Sequence, residues 1–360
     1  MRKLLCTCAV VFSFSPFAQA APGREAASFL DIPVGGGPAA LASAYTALAT
    51  DAYAPVYNPG GLGFVDSTQI AAQHLSYLES IHYEFLSLVR PINNTNAWGA
   101  SAQYLGSGDI AGTNGSGDST GNYSTHFAAY SLAYSHRFKE KLAVGFSGKL
   151  IDAKIADASA HAYAVDIGGL YKVTDRFNLA AALTNAGTKL KFLSDGGALP
   201  LTFKCGGAYQ PSRQWKMVAE GDYAGYGLLS GRTGVEWKPL ELVAIRAGYR
   251  TDTTKELGMI AGLTTGVGLD LWGQELSYAW VPYGDLGTTQ YFSMLIRFGG
   301  REEERRNLIQ YRNIKTHKLV KNQRDDSGDK LEYEQLMQLL DVGDVYEEYT
   351  KKVVRGQISQ

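Results

Sequence analysis

Gly117-Asp118-Ser119-Thr120-Gly121 fits the G-x-S-x-G frame that presents a nucleophilic serine. That frame works when a strand delivers the serine to a sharp turn and a helix follows. Here it lies in a stretch from Gly106 to Ser124 that is almost entirely Gly, Ser, Asn, Asp and Thr, which reads as a long mobile loop. The match is therefore read as chance, and the chain as a non-enzyme. His74, His82, His126, His136, His161 and His317 show no paired spacing of metal ligands. Asp325, Ser327 and Asp329 begin like a calcium loop, but Lys330 stands where Gly is required and Leu336 where a bidentate Glu is. No metal and no cofactor is expected.

Charged residues recurring at every second or fourth position carry more information. Glu220 with Asp222, Glu236 with Lys238, and Arg246 with Arg250 each fall in one phase of an alternating segment. In a closed sheet that phase faces the interior, and acid meets base across neighbouring strands. Such a cluster either guides a polar solute, holds an internal segment, or satisfies itself as an ionic network; the last is favoured. Lys149, Asp166, Lys172, Lys204 and Arg297 share the inward phase. Cys205 falls in the outward phase and reads as inert packing.

The elements that would position these groups repeat from Ser67 to Phe298. About ten residues alternate apolar with small or polar, a turn follows, and the unit recurs about fourteen times. Thr125–Phe138 is typical: Tyr130, Leu132, Tyr134 and Phe138 take one face, and Ser131, Ala133, Ser135 and Arg137 the other. Lipid offers no partner to free backbone groups, and no mature stretch is apolar long enough for a spanning helix. The expected fold is all-β: a transmembrane antiparallel barrel of about fourteen strands across 66–299. Short connections, such as Asn93-Asn94, Asp175-Arg176 and Trp272-Gly273, alternate with longer ones, as in barrels with short periplasmic turns and longer outer loops. Phe138, Phe177, Trp215, Trp237 and Trp272 flank the short turns, where an aromatic girdle belongs. Both chain ends are expected in the periplasm.

Residues 1–20 read as a signal peptide: Arg2 and Lys3, an apolar run from Leu4 to Phe17, then Ala18-Gln19-Ala20. Cys6 and Cys8 leave with it, so the exported chain keeps Cys205 alone and no internal disulfide forms. Residues 300–360 are highly charged. Asp329 with Glu332, and Asp344 with Glu347, mark helix starts, so this stretch is expected to be a helical periplasmic extension, solvated or partner-binding. With 34 basic and 35 acidic residues and no block of one sign, nucleic acid is not an expected partner.

The segment Phe29 to Gly63 remains, with an expected helix over Ala39–Ala49. It combines a Gly-rich lead-in, an A-x-x-A-x-x-D-A pattern at Ala44, Ala47, Asp51 and Ala52, and a turn at Tyr57, Asn58, Pro59, Gly60, Gly61 and Leu62. This resembles the N-terminal signature of the PorV/PorQ family, within the FadL-like group of outer-membrane barrels. The chain departs from that pattern at Gly60, at Tyr57 and at Ala42-Ser43. The resemblance implies that residues 21–65 fold into the barrel as a hatch, with Asp51, Asn58, Pro59, Gly60 and Gly61 as its motif. It also implies two competing functions in the outer membrane of a diderm bacterium. One is export or surface attachment of proteins, as in type IX-like secretion, with exported proteins as cargo. The other is passive passage of long-chain fatty acids or other hydrophobic small molecules. Outer-membrane lipid is a partner in both.

Overall fold

The computed structural model describes residues 25–76, 81–193, 195–253 and 259–298. The expected signal peptide and the expected C-terminal extension lie outside them. The chain first forms α1 (Gly36–Ala40) and α2 (Ala54–Tyr57). Next come β1 (Thr68–Ser76), β2 (His82–Pro91), β3 (Asn96–Gly106), β4 (Ile110–Thr113), β5 (Ser119–Tyr123), β6 (Thr125–Phe138), β7 (Leu142–Ile155), β8 (Ala158–Thr174) and β9 (Phe177–Gly187). They are followed by β10 (Leu190–Phe192), β11 (Asp195–Gly197), β12 (Thr202–Tyr209), β13 (Trp215–Ala224), β14 (Leu229–Leu240), β15 (Val243–Arg250), β16 (Leu263–Leu271), β17 (Gln274–Pro282) and β18 (Thr288–Phe298).

Fourteen of these strands close a barrel in which β1 pairs with β18, while β4-β5 and β10-β11 form separate hairpins. Every barrel pairing is antiparallel. Closure leaves no strand edge unpaired, which is what a sheet surrounded by lipid requires. No helix among the described residues is long and apolar enough to cross a membrane.

Alternation follows the sequence closely. On β6, Tyr130 and Leu132 are 53% and 68% exposed on the outer face, whereas Ser131, Ala133 and Ser135 are buried on the inner one. The inner face of β1 to β3 and β6 to β8 is largely Ala and Ser, including Ala71, Ser87, Ala97, Ser101, Ser147 and Ala162. These small side chains widen the lumen, and the N-terminal segment fills the room they leave.

Two loop expectations change. Gly106 to Ser124 is not structureless, because its polar residues form the β4-β5 hairpin, with Asn114 Oδ1 accepting the Ser116 and Asp118 amides at 2.9 Å each. The connection after β7 shrinks to Ala156-Asp157, since pairing continues to Ile155 opposite Ala158. The two rims remain distinct. Thr68 faces Phe298 across the β1–β18 seam, at the rim that carries the short turns.

Candidate functional site

Residues 25–65 lie against inward-facing side chains of most barrel strands, and most are fully buried. The segment begins at the long-loop rim, where the Ala26 amide donates to Ala198 O at 2.8 Å. It ends at the short-turn rim, where Lys172 Nζ sits 4.2 Å from the Phe64 ring centroid. Glu25 and Phe298 therefore occupy opposite rims, although both chain ends were expected on one side. The termini themselves lie outside the described residues.

The expected helix over Ala39–Ala49 is not formed. Helix α1 stops at Ala40, and Ala42 and Ser43 take left-handed conformations with φ of 56° and 62°. The wall compensates these broken turns by capping backbone groups that would otherwise be orphaned in a buried place. Ser293 Oγ accepts the Gly36 amide at 2.8 Å, Thr264 Oγ1 accepts the Ala42 amide at 3.0 Å, and Glu220 Oε2 accepts the Thr46 amide at 2.8 Å. Gln73 takes the Gly35 amide, and Ser135 Oγ donates to Gly60 O at 3.0 Å.

The Asn58-Pro59-Gly60-Gly61 turn is the tightest contact. Asn58 is fully buried, donates to Thr46 O at 2.9 Å and Gly169 O at 3.1 Å, and accepts the Gly60 amide at 3.0 Å. A Cβ on Gly60 would meet Gly168 O at 2.6 Å, and Gly145 and Gly168 are themselves crowded by Pro59 and Asn58. Glycine on both sides lets backbone touch backbone. Asp51 acts locally: its carboxylate accepts the Tyr45 hydroxyl at 2.5 Å and the Tyr53 amide at 3.0 Å. Burial raises the Asp51 carboxyl, with the Tyr45 hydrogen bond opposing, and burial also lifts the Tyr57 phenol to about 12.

The inward charges divide into separate networks. Arg246 donates to Glu236 at 2.6 Å, Glu275 at 2.7 Å and Ser277 at 2.9 Å, while Lys216 and Arg297 extend the chain from its two acids at 3.0 and 3.3 Å. Nearer the long-loop rim, Arg232 pairs with Asp222 at 3.0 Å and Asp252 at 3.2 Å, and Arg250 with Asp252 at 2.6 Å. Lys149 binds Asp166 at 2.8 Å and Asn185 at 2.7 Å. Of the five cluster residues expected together, Glu236 and Arg246 join one network, Asp222 and Arg250 another, and Glu220 holds the N-terminal segment. Sequence reasoning missed Arg232, Asp252 and Glu275. Arg232 shares the phase of Glu236 and was legible by alternation, but Asp252 lies beyond the end of β15 and has no phase to read.

Between the N-terminal segment and the β7–β15 arc of the wall lies a cavity of about 240 Å³ that opens toward the long-loop rim. On the segment's other side the packing is mainly apolar, through Phe85, Val89, Ala129, Val281, Tyr291 and Leu295, with Gln73 and Ser293 as uncharged polar contacts. Outside the barrel, His161 and His126 lie 2.8 and 3.8 Å from Asp152, and His74 lies 2.7 Å from Glu84. No group of three or more His, Cys, Asp or Glu among the described residues is placed to hold a metal. Ser119 opens an exposed hairpin strand with no helix after it.

Residues 5–162 match a family described as Uncharacterised protein family (UPF0164). No curated protein matches the chain. Among solved structures, the Ralstonia pickettii toluene transporter TbuX is similar over 74% of this chain and 98% of its own, with 13% identity and a TM-score of 0.55. The CymD monoaromatic hydrocarbon channel matches 74% of this chain and 97% of its own at 12% identity and a TM-score of 0.51. What is shared at these identities is the fold, which in this chain is a closed fourteen-strand antiparallel barrel.

Proposed function

We propose that this chain is a non-enzymatic outer-membrane barrel of the FadL-like kind, that residues 25–65 act as its hatch, and that it passes small hydrophobic molecules. The observation that carries the reading is a barrel, alike in fold to two hydrocarbon channels, whose lumen is occupied by its own N-terminal segment. An open pore would leave the inner wall hydrated. Here a folded segment is bonded to the wall at Gln73, Thr264, Glu220, Ser293 and Ser135, so passage requires that segment to rearrange. Broad apolar exposure on the outer face, from Leu86, Leu132, Phe146, Ile167 and Phe292, supports placement in lipid.

Protein export, the role attached to the PorV/PorQ resemblance, rests on the Asn58–Leu62 turn and its surroundings. In this structure that turn is buried against the wall, which leaves the rims as the surfaces where cargo would dock.

The test is uptake. The chain is expressed in a diderm host lacking comparable channels, its outer-membrane fractionation and heat-modifiable folding are checked, and entry of radiolabelled toluene and oleate is followed. Faster entry of either is the expected result. A folded barrel in the outer membrane with no effect on either ligand would remove the channel reading and leave the export reading standing.

A further inference from the structure

The cavity between the N-terminal segment and the wall is charged, unlike the mainly apolar packing on the segment's opposite side. Almost every charged group lining it is matched. Lys149 has Asp166, Arg232 has Asp222 and Asp252, and Arg250 has Asp252, all between 2.6 and 3.2 Å.

Two lining groups are exceptions. Lys204 projects from β12, with its Nζ 5.8 Å from the Tyr57 ring centroid and no acidic oxygen within ion-pair distance among the described residues. Asp31 projects from the N-terminal segment and likewise meets no cation within that distance. Its place deep in the barrel mouth raises the Asp31 carboxyl, and Lys204 is the cation that most opposes that rise, so the two face a common space without touching.

Asp31 is exposed and Lys204 half-buried, so each leans on the solvent of the cavity and not on a protein partner, and a ligand that replaces that solvent has to bring the opposite charge. A flexible lysine would normally close such a gap. Here the wall strand and the buried segment fix the two backbones on opposite sides of the cavity. The space between them, about 240 Å³, has room for a small molecule.

We propose that this cavity binds a small zwitterionic solute of amino-acid size, its carboxylate on Lys204 and its ammonium group on Asp31. Arg232 and Arg250 are already engaged by Asp222 and Asp252, so a simple anion finds one cation outside an ion pair, Lys204, and there meets not only Asp31 but also Asp222, opposite Lys204 in the strand register. A simple cation meets the reverse. A molecule carrying both charges satisfies both groups at once, and its short methylene spacer lies against Val34, Val56 and the Tyr57 ring. The site stands apart from the question of what crosses the barrel, since it follows from the charges lining the cavity and is read by binding, not flux.

The experiment uses three matched probes, γ-aminobutyrate, butyrate and butylamine, titrated calorimetrically into the full-length protein in detergent. The zwitterion is expected to bind at least tenfold more tightly than either singly charged probe. Lys204→Met and Asp31→Asn should each weaken it tenfold or more, and Lys204→Arg should largely preserve it. Should the variants fail to fold, the wild-type series alone decides. Equal affinity for the three probes, tighter binding of butyrate or butylamine, or no binding in the millimolar range would overturn the proposal in favour of a merely hydrated cavity or a singly charged ligand. Zwitterion binding unchanged in folded Lys204→Met and Asp31→Asn would overturn the assignment to these residues.

Discussion

At the scale of single residues, Arg246 is the wall's most connected charge. It is 6% exposed and joins strands β14, β15 and β17 through Glu236, Glu275 and Ser277. Arg246→Met leaves two buried carboxylates partly uncompensated and should cost about 3 kcal/mol, less than a fully orphaned pair because Lys216 and Arg297 remain. Urea titration of heat-modifiable folding measures it; a loss near zero would mean that the acids rely on their outer partners alone. Facing gives a second expectation. Tyr130→Arg on the lipid side should cost about 2 kcal/mol near the midplane, whereas Ser230→Arg, inside and beside the cavity, should cost less. Equal losses would contradict the inward and outward assignment. Glu25, at the long-loop rim, supplies a pH dependence. Burial, with Asp31 nearby, raises its carboxyl from 4.5 to about 7. The docked segment then holds its proton more tightly than the released one, so docking is strongest below about 4.5 and weakens as pH rises toward about 7. The protection factor of the Ala26 amide should fall across that window and stay level in Glu25→Gln. A flat wild-type profile would show that Glu25 does not govern this contact.

At the scale of elements, the N-terminal segment and the wall are shaped to each other. Helix α1 is too short to stand alone, and the left-handed Ala42 and Ser43 are held because Thr264 and Glu220 cap the buried amides of Ala42 and Thr46. The Asn58–Gly61 turn enters a recess in which Gly145 and Gly168 bring no side chain. Gly60→Trp therefore has nowhere to go and should displace the segment while the strand ladder persists. Planar-bilayer recordings should show conductance that the wild type lacks. Deletion of Phe29 to Gly63 should do the same, and unchanged conductance in both variants would mean that the segment does not seal the lumen.

At the scale of the whole molecule, the described chain starts at one rim, descends through the lumen and enters β1 at the other. That path has a sidedness that can be read chemically. In a Cys205→Ser background, Ser28→Cys should react with an impermeant maleimide on intact cells as Asp118→Cys in the β4-β5 hairpin does, and unlike Arg213→Cys in the turn between β12 and β13. If Ser28→Cys instead followed Arg213→Cys, the segment would enter from the short-turn rim. The two faces of the segment also divide the interior: mainly apolar, with the Gln73 and Ser293 contacts, toward β18 and β1 to β3, and charged toward β12 to β15. The fold shared with hydrocarbon channels does not by itself set what this lumen prefers, because that depends on side chains carried by the fold.

The barrel was legible in the chain because alternation has a period of two, and one register satisfies lipid outside and small or charged groups inside at every strand. Strand β6 illustrates it, running from Thr125 to Phe138 as its pattern indicates. The same periodicity assigned Glu220, Asp222, Glu236, Arg246 and Arg250 to the interior, since each needs only its own strand to settle its direction. Which charge meets which was not legible. Arg250 is satisfied by Asp252, two residues on, Glu220 by the amide of Thr46, and Glu236 by residues of two other strands. Those pairings depend on side-chain reach and on a segment that crosses the lumen. The segment itself was least readable: its alanines suggest a helix from Ala39 to Ala49, but burial within a closed wall lets wall hydroxyls and carboxylates replace helical hydrogen bonds. Local propensity gave way there because the barrel supplies the partners, and those partners are brought together only when the last strand closes on the first.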